Sequence, residues 1–410
     1  MDDTRGKAES FHPICVGRFL IDIPADMQFS YGGSQVYGWR VSSDVSESEA
    51  QFSRRLFARE QELAAGKNER GLPNLELVRE VRNAPANGKI FMFDRQWTYH
   101  FEGPKKIDHN SATIEALARV DGVSFTFYLE IGDSDEVEEL QALLGQLRVR
   151  RNDELPERSG FCFGNGIILD PIPTAKPIES TVLFAGWAER PDINIALSTM
   201  SGVKNDTTLL QRHADNSVHA RYASHFKTIF KGRREINGIP GEELSERVKE
   251  LNGTYGHSYM WESDTVKEAD ALRPFLTLEL STGVGRPGEP VNSSLPDKDV
   301  QTLWDQISGS LRLRQVQPAS LKEGARANVE RKETSVRASQ SCPATGWWSC
   351  SADVEGHQVL GGATQHFVKG ARMPQAQLLA PTTVLDKLKN HQPTFTLSTP
   401  TEWTLTKAQP

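Results

Sequence analysis

The chain has 410 residues, a formal net charge of −7, 37% hydrophobic and 25% charged residues. That length exceeds one ordinary core, so two or three domains are expected. The acidic balance argues against a nucleic-acid partner, which would show a basic stripe, and no run reaches the roughly eighteen apolar residues of a membrane-spanning helix.

A first α+β lobe is expected over 11–150. It opens with a strand at 15–23, ended by Pro24, and a second at 35–41. Residues 46–65 read as an amphipathic helix, with Phe52, Leu56, Phe57 and Leu63 on or near one face. Strands follow at 75–81, 90–93, 97–101, 112–120 and 124–131. A closing helix at 134–147 carries Val137, Leu140, Leu143, Leu144 and Leu147, with Asp133 or Ser134 as its cap.

A second α+β lobe, 158–314, has the same order. Strands are expected at 166–169, 182–189 and 194–199, then a helix at 209–229, strands at 243–249, 254–262 and 275–281, and a helix at 299–310. Each lobe is thus an antiparallel sheet with packed helices. Residues 315–340 are polar and almost free of large apolar groups, which suits a linker. Residues 341–407, with Trp347, Trp348, Phe367, Phe395 and Trp403, suit a small β-rich module. Its thin core would profit from a disulfide between Cys342 and Cys350.

The order recurs because the sequence nearly does. Cys15-Val16-Gly17-Arg18-Phe19-Leu20-Ile21-Asp22-Ile23-Pro24 returns as Cys162-Phe163-Gly164-Asn165-Gly166-Ile167-Ile168-Leu169-Asp170-Pro171. Gly38-Trp39 answers to Gly186-Trp187, Arg79-Glu80-Val81 to Arg234-Glu235-Ile236, and Pro85 to Pro240. The lobes end alike at Leu147-Arg148-Val149-Arg150 and Leu311-Arg312-Leu313-Arg314. Such agreement in register predicts an internal duplication, with function at the face the lobes share. Cys15 and Cys162 hold equivalent positions, which suits a bonded pair and two reduced buried thiols equally.

Motifs of catalysis are weak. Gly256-His257-Ser258-Tyr259-Met260 is like a nucleophile elbow but lacks its last glycine, and the alternation of Tyr255, His257, Tyr259 and Trp261 suits a plain strand. Gly283-Val284-Gly285-Arg286-Pro287-Gly288 has the letters of a dinucleotide fingerprint without the helix that would hold the pyrophosphate. His213, His219 and His225 are six apart; on one helix they face about 240° from each other, which excludes a shared metal. No cofactor is implied. The second lobe carries extra residues between its last strand and closing helix, an open, flexible loop around Gly283, Gly285, Arg286 and Glu289. Insertions on a repeated scaffold are where binding specificity is commonly placed.

Three segments resemble the immunity proteins that neutralise type VI secretion phospholipase effectors: residues 15–24, the second-lobe opening Gly160-Phe161-Cys162-Phe163-Gly164-Asn165-Gly166, and Asn237-Gly238-Ile239-Pro240-Gly241-Glu242. The resemblance covers 11–314. It implies a non-enzymatic protein whose lobes grip a secreted lipase or phospholipase effector and occlude its active-site cleft in the periplasm. Members carry an export or lipoprotein signal. The opening Met1-Asp2-Asp3-Thr4-Arg5-Gly6-Lys7 shows none, so the protein is cytoplasmic or its leader has been removed. The alternatives are a hydrolase using Ser258 with His257 or His225, and an adaptor for effector loading that docks through the C-terminal module.

Overall fold

The computed structural model describes residues 10–81, 86–170, 178–203, 206–264, 271–314, 335–350, 359, 364–367, 369–379, 394–396 and 401–408. The chain forms two compact units, divided between Ser320 and Leu321, and is α+β. No helix among the described residues is long and apolar enough to cross a membrane.

The first unit begins with β1 (Phe11–Val16), β2 (Phe19–Pro24), β3 (Gln28–Tyr31), β4 (Ser34–Val36), β5 (Trp39–Asp44) and α1 (Glu49–Ala65). It continues through β6 (Leu75–Glu80), β7 (Asn87–Glu102), β8 (Lys105–Val120), β9 (Val123–Gly132), α2 (Ser134–Gln146) and β10 (Leu147–Val149). Then come β11 (Gly160–Phe163), β12 (Gly166–Leu169), β13 (Glu179–Trp187), β14 (Arg190–Met200), α3 (Leu209–Ala214), α4 (Ser217–Arg221) and a 3₁₀ turn at Ala223–His225. β15 (Phe226–Arg233), β16 (Gly241–Lys249), β17 (Tyr255–Ser263), β18 (Phe275–Thr282), α5 (Asp297–Ser310) and β19 (Arg312–Leu313) complete it.

One antiparallel sheet runs β6-β7-β8-β9-β5-β4-β13-β14-β18-β17-β16-β15, with β3 also on β13. Its two halves meet where Glu179 and Ser180 of β13 pair with Val36 and Gln35 of β4. The helices start as their sequences dictate. Ser48 with Gln51, Asp133 with Glu136, and Thr208 with Gln211 form reciprocal capping boxes.

The strand expected at 15–23 is instead a hairpin, β1 against β2, pairing Cys15 with Leu20 across Gly17-Arg18. Gly17 takes φ +58°, and a Cβ there would lie 2.8 Å from Thr199, so only glycine makes this turn comfortably. β11 and β12 form the corresponding hairpin, pairing Cys162 with Ile167.

Each hairpin fills the other half's core. Ile14, Val16, Phe19, Ile21 and Ile23 pack with Leu197, Tyr259, Trp261, Leu278 and Trp304 of the second half. Phe161, Phe163 and Ile168 pack with Trp39, Ile114, Phe125, Phe127 and Leu144 of the first. The short closing strands cross too: β19 pairs with β2, and β10 with β12. The segment 11–24 therefore packs with the half that ends at Arg314.

The helix expected at 209–229 is broken. α3 ends at Ala214 with Asp215 as its C-cap, and Asn216 Oδ1 accepts a bond from the His219 amide (3.1 Å) at the start of α4. Phe226-Lys227-Thr228-Ile229-Phe230 then enters the sheet as β15, as its β-branched and aromatic side chains favour.

In the second unit, β20 (Ser335–Arg337), β21 (Gly346–Cys350), β22 (Thr364–Phe367) and β25 (Glu402–Ala408) form a sheet in the order β20-β25-β21-β22. β23 (Gln377–Leu379) pairs with β24 (Thr394–Thr396). β20 lies inside this module, so the polar linker ends before Ser335; residues 315–334 lie outside the described residues. Trp348 and Trp403 centre the core with Leu378 and Met373.

Of the two pairs, the one left open is bonded and the one expected is not. Cys15 and Cys162 are bonded, with Cα atoms 6.0 Å apart. No bond joins Cys342 and Cys350, which are both buried thiols. Both lie in the same small core, with Trp348 and Trp403. The Cys342 thiol instead points to the Ala344 carbonyl (3.1 Å).

Candidate functional site

The inserted loop is a built turn and not an open one. After β18, Arg286 and Glu289 bridge each other, and the Glu289 amide donates to the Arg286 carbonyl at 2.8 Å. Buried Asp192 anchors the base: its carboxylate accepts from the amides of Gly283 (3.3 Å) and Ser294 (2.9 Å), and its carbonyl from Val284 (3.1 Å). Gly283 has φ +77° and a Cβ there would sit 2.9 Å from the Gly256 Cα; at Gly285 it would sit 1.9 Å from the Glu289 carbonyl oxygen. Both glycines are demanded by backbone proximity. The tip is free. Arg286 and Glu289 are exposed, and among the described residues the Arg286 guanidinium has no partner. The turn walls a cleft of about 580 Å³ with Val248, Gly256, Ser258 and Thr282.

A second surface was not anticipated. The strands expected at 90–93 and 97–101 are one strand, β7, bulged between Phe93 and Gln96, and it pairs with β8 out to Glu102 and Lys105. Trp97, Tyr99 and Phe101 alternate and so share one face of this two-stranded ribbon. Tyr99 is 60% and Phe101 63% exposed, in edge-to-face contact at 5.8 Å. Arg70 lies over Trp97 at 3.8 Å and Lys106 over Tyr99 at 4.6 Å. The alternation Trp-Thr-Tyr-His-Phe was the available signal, but only the structure shows that Tyr99 and Phe101 stay largely exposed.

Two arginines fasten the exchanged hairpins. Arg18, in the first hairpin's turn, donates to Asp170 (2.8 and 3.0 Å) and Glu179 (2.8 and 2.8 Å). Burial opposes its charge, yet the bonds and charges of Glu179 and Asp170 outweigh that and raise its pKa above the ordinary guanidinium value. Arg150 donates to Tyr31 Oη (2.7 Å) and to the carbonyls of Cys15, Phe163 and Gly166.

The hydrolase alternative fails on geometry. Ser258 and His257 are neighbours on β17, so their side chains leave opposite faces. The His257 ring is engaged with Thr282 Oγ1 (2.8 Å) and Asp297 Oδ1 (3.2 Å), and His225 Nδ1 with the Lys249 carbonyl (2.6 Å). Neither is placed as a base for Ser258. The histidine reading needs correction in the other direction. His213 and His219 are brought together by the broken helix, and with Glu246 their ligand atoms all lie within 4.8 Å of one another.

Residues 12–153 match the N-terminal domain, and residues 154–316 the C-terminal domain, of Tle cognate immunity protein 4. No curated protein matches in sequence. Among solved structures, the chain is similar to the apo immunity protein TplEi of the type VI secretion system from Pseudomonas aeruginosa, with TM-score 0.60 and 22% identity, over 74% of this chain and 97% of that one. The same protein complexed with "L" peptide gives TM-score 0.59 and 22% identity, over 75% and 99%. A chain of the Tle4–Tli4 complex gives 0.61 and 22%, over 77% and 99%. The chain belongs to the Tle cognate immunity protein 4 family, through residues 12–316.

Proposed function

We propose that this protein binds a cognate type VI secretion lipase or phospholipase effector and inhibits it by occluding the active-site cleft. The observation that carries this reading is the match of both halves of the first unit to the immunity-protein family. The Tle4–Tli4 complex, which contains a chain of similar fold, supports it. An immunity protein acts by binding and not by catalysis, so it needs a stable, complementary surface and no reactive centre.

The contact surfaces are the turn bearing Gly283, Gly285, Arg286 and Glu289, and the aromatic face of the β7–β8 ribbon. Arginine and large aromatics are the side chains that most often dominate interface energetics. A periplasmic site of action is supported by the Cys15–Cys162 bond, since disulfides persist in oxidising compartments. Descent of the two halves from one duplicated unit is supported by their matching strand orders, β4-β5-β9-β8-β7-β6 and β13-β14-β18-β17-β16-β15, each closed by a helix and a short strand.

The test is co-purification with a lipase encoded beside this protein, then assay of that lipase with and without it. Lipase activity falling toward zero at stoichiometric protein supports the reading. Undiminished activity at saturating protein overturns it.

A further inference from the structure

We propose that His213, His219 and Glu246 form a binding site for a divalent transition metal, with zinc the best match to the ligand set. The three residues come from α3, α4 and β16, and among the described residues no other group of this kind brings its ligand atoms so close. Two imidazoles and one carboxylate are a recurrent zinc donor set, with a fourth position left for water or another ligand. Hard cations such as calcium prefer all-oxygen shells and do not suit it.

The surroundings favour ligation. Glu246 is buried, and among the described residues its carboxylate has one hydrogen-bond partner, His219 Nε2 at 2.9 Å. A buried carboxylate with spare acceptor positions therefore faces two imidazoles. The His219 ring is stacked on Phe226 at 4.4 Å, which fixes its plane, and the His213 ring meets it edge-on at 4.1 Å.

The charge of Lys231 lies near His213. Lys231 is exposed on β15 and can turn its ammonium to solvent. Zinc bonds of about 2.0–2.1 Å put ligand atoms roughly 3.3 Å apart, so closure requires shifts of only about 1 Å, which the half-buried His213 and His219 rings can supply. Metal would pin two short helices to the sheet where one continuous helix could not have brought these rings together.

The test uses the full chain, stripped with a chelator and titrated with zinc chloride in competition with a chromophoric chelator. One zinc per chain is expected, and cobalt(II) in its place should give the visible absorption of a tetrahedral site. His213→Asn and Glu246→Gln should each weaken zinc binding by about tenfold or more. His100→Asn, which disrupts the other close histidine pair, stacked with His109 at 4.8 Å, should leave it unchanged. The thermal midpoint should rise with zinc in the wild type and not in His213→Asn, whose metal-free midpoint reports whether it folds. No zinc uptake, wild-type affinity in both His213→Asn and Glu246→Gln, or loss only in His100→Asn overturns the proposal.

Discussion

Cys15 and Cys162 are separated by 147 residues in the chain and joined by a bond that links the first strands of two hairpins, each buried in the opposite half. Beside the bond, Gly17 and Cys162 exchange backbone hydrogen bonds at 2.9 and 2.8 Å. The bond thus locks the exchange of hairpins and not merely two neighbouring strands. By chain entropy, closing so long a loop stabilises the fold by about 4–5 kcal/mol. Replacing both cysteines by serine should lower the denaturant midpoint accordingly. Alkylation of the unfolded, unreduced protein should label Cys342 and Cys350 and leave Cys15 and Cys162 unlabelled. Labelling of all four would refute the pairing.

Arg18 should be the most sensitive charged residue of the core. Its side chain is 10% exposed, and it neutralises Glu179, 3% exposed, together with Asp170. Arg18→Met leaves those carboxylates uncompensated and should cost about 3–5 kcal/mol. Arg18→Lys should recover only part of this, because an ammonium cannot make the paired contacts of a guanidinium. Equilibrium unfolding of the three proteins decides it.

The turn at 283–290 separates into a structural base and an exposed tip, which is the proposed contact. Gly283→Ala forces a side chain into a left-handed conformation against backbone and should destabilise by about 1–3 kcal/mol. Arg286→Ala should leave the unfolding midpoint within experimental error and weaken effector binding about tenfold, or 1.4 kcal/mol. Unchanged affinity for Arg286→Ala would move the interface away from the turn.

The ribbon makes an independent prediction. Tyr99 and Phe101 are largely exposed, so Tyr99→Ser with Phe101→Ser should cost little stability. Effector affinity, measured by calorimetry, should fall by more than about tenfold if the aromatic face is a hot spot. Equal affinity would show that the ribbon lies outside the contact.

Stability should decline on acidification. Burial lowers the pKa of His257 below the ordinary imidazole value, Asp297 opposing and Arg247 assisting, and His213 is shifted in the same direction. The unfolded chain therefore takes up protons at these rings at higher pH than the folded chain. Their contribution is complete above the unfolded pKa of about 6.5 and is lost as pH falls through the folded value. The urea midpoint should be lower near pH 5.5 than near pH 7.5, and His257→Gln should flatten that dependence.

Much of the fold was written locally. Period-two and helical apolar patterns located the strands β8, β9, β16, β17 and β18, and the helices α1, α2 and α5, because those elements bury one face against a sheet or a helix. The capping boxes at Ser48 and Asp133 are likewise contacts within four residues of chain. The short signatures at 15–24, 160–166 and 237–242 carried the family.

Only the tertiary structure decided which core each hairpin fills. The segments beginning at Cys15 and Cys162 have nearly the same pattern of apolar and turn residues, so nothing local distinguishes their destinations. The choice lies in long-range packing, and the Cys15–Cys162 bond follows from it. The helix expected at 209–229 failed for a related reason. It was expected from its place in the repeated order, but the edge of β16 offered Phe226–Arg233 a strand partner, and the break at Asp215-Asn216 brought His213 close to His219 and Glu246. Local sequence states what a segment can form; the partner that completes its hydrogen bonds and covers its apolar face decides what it does form.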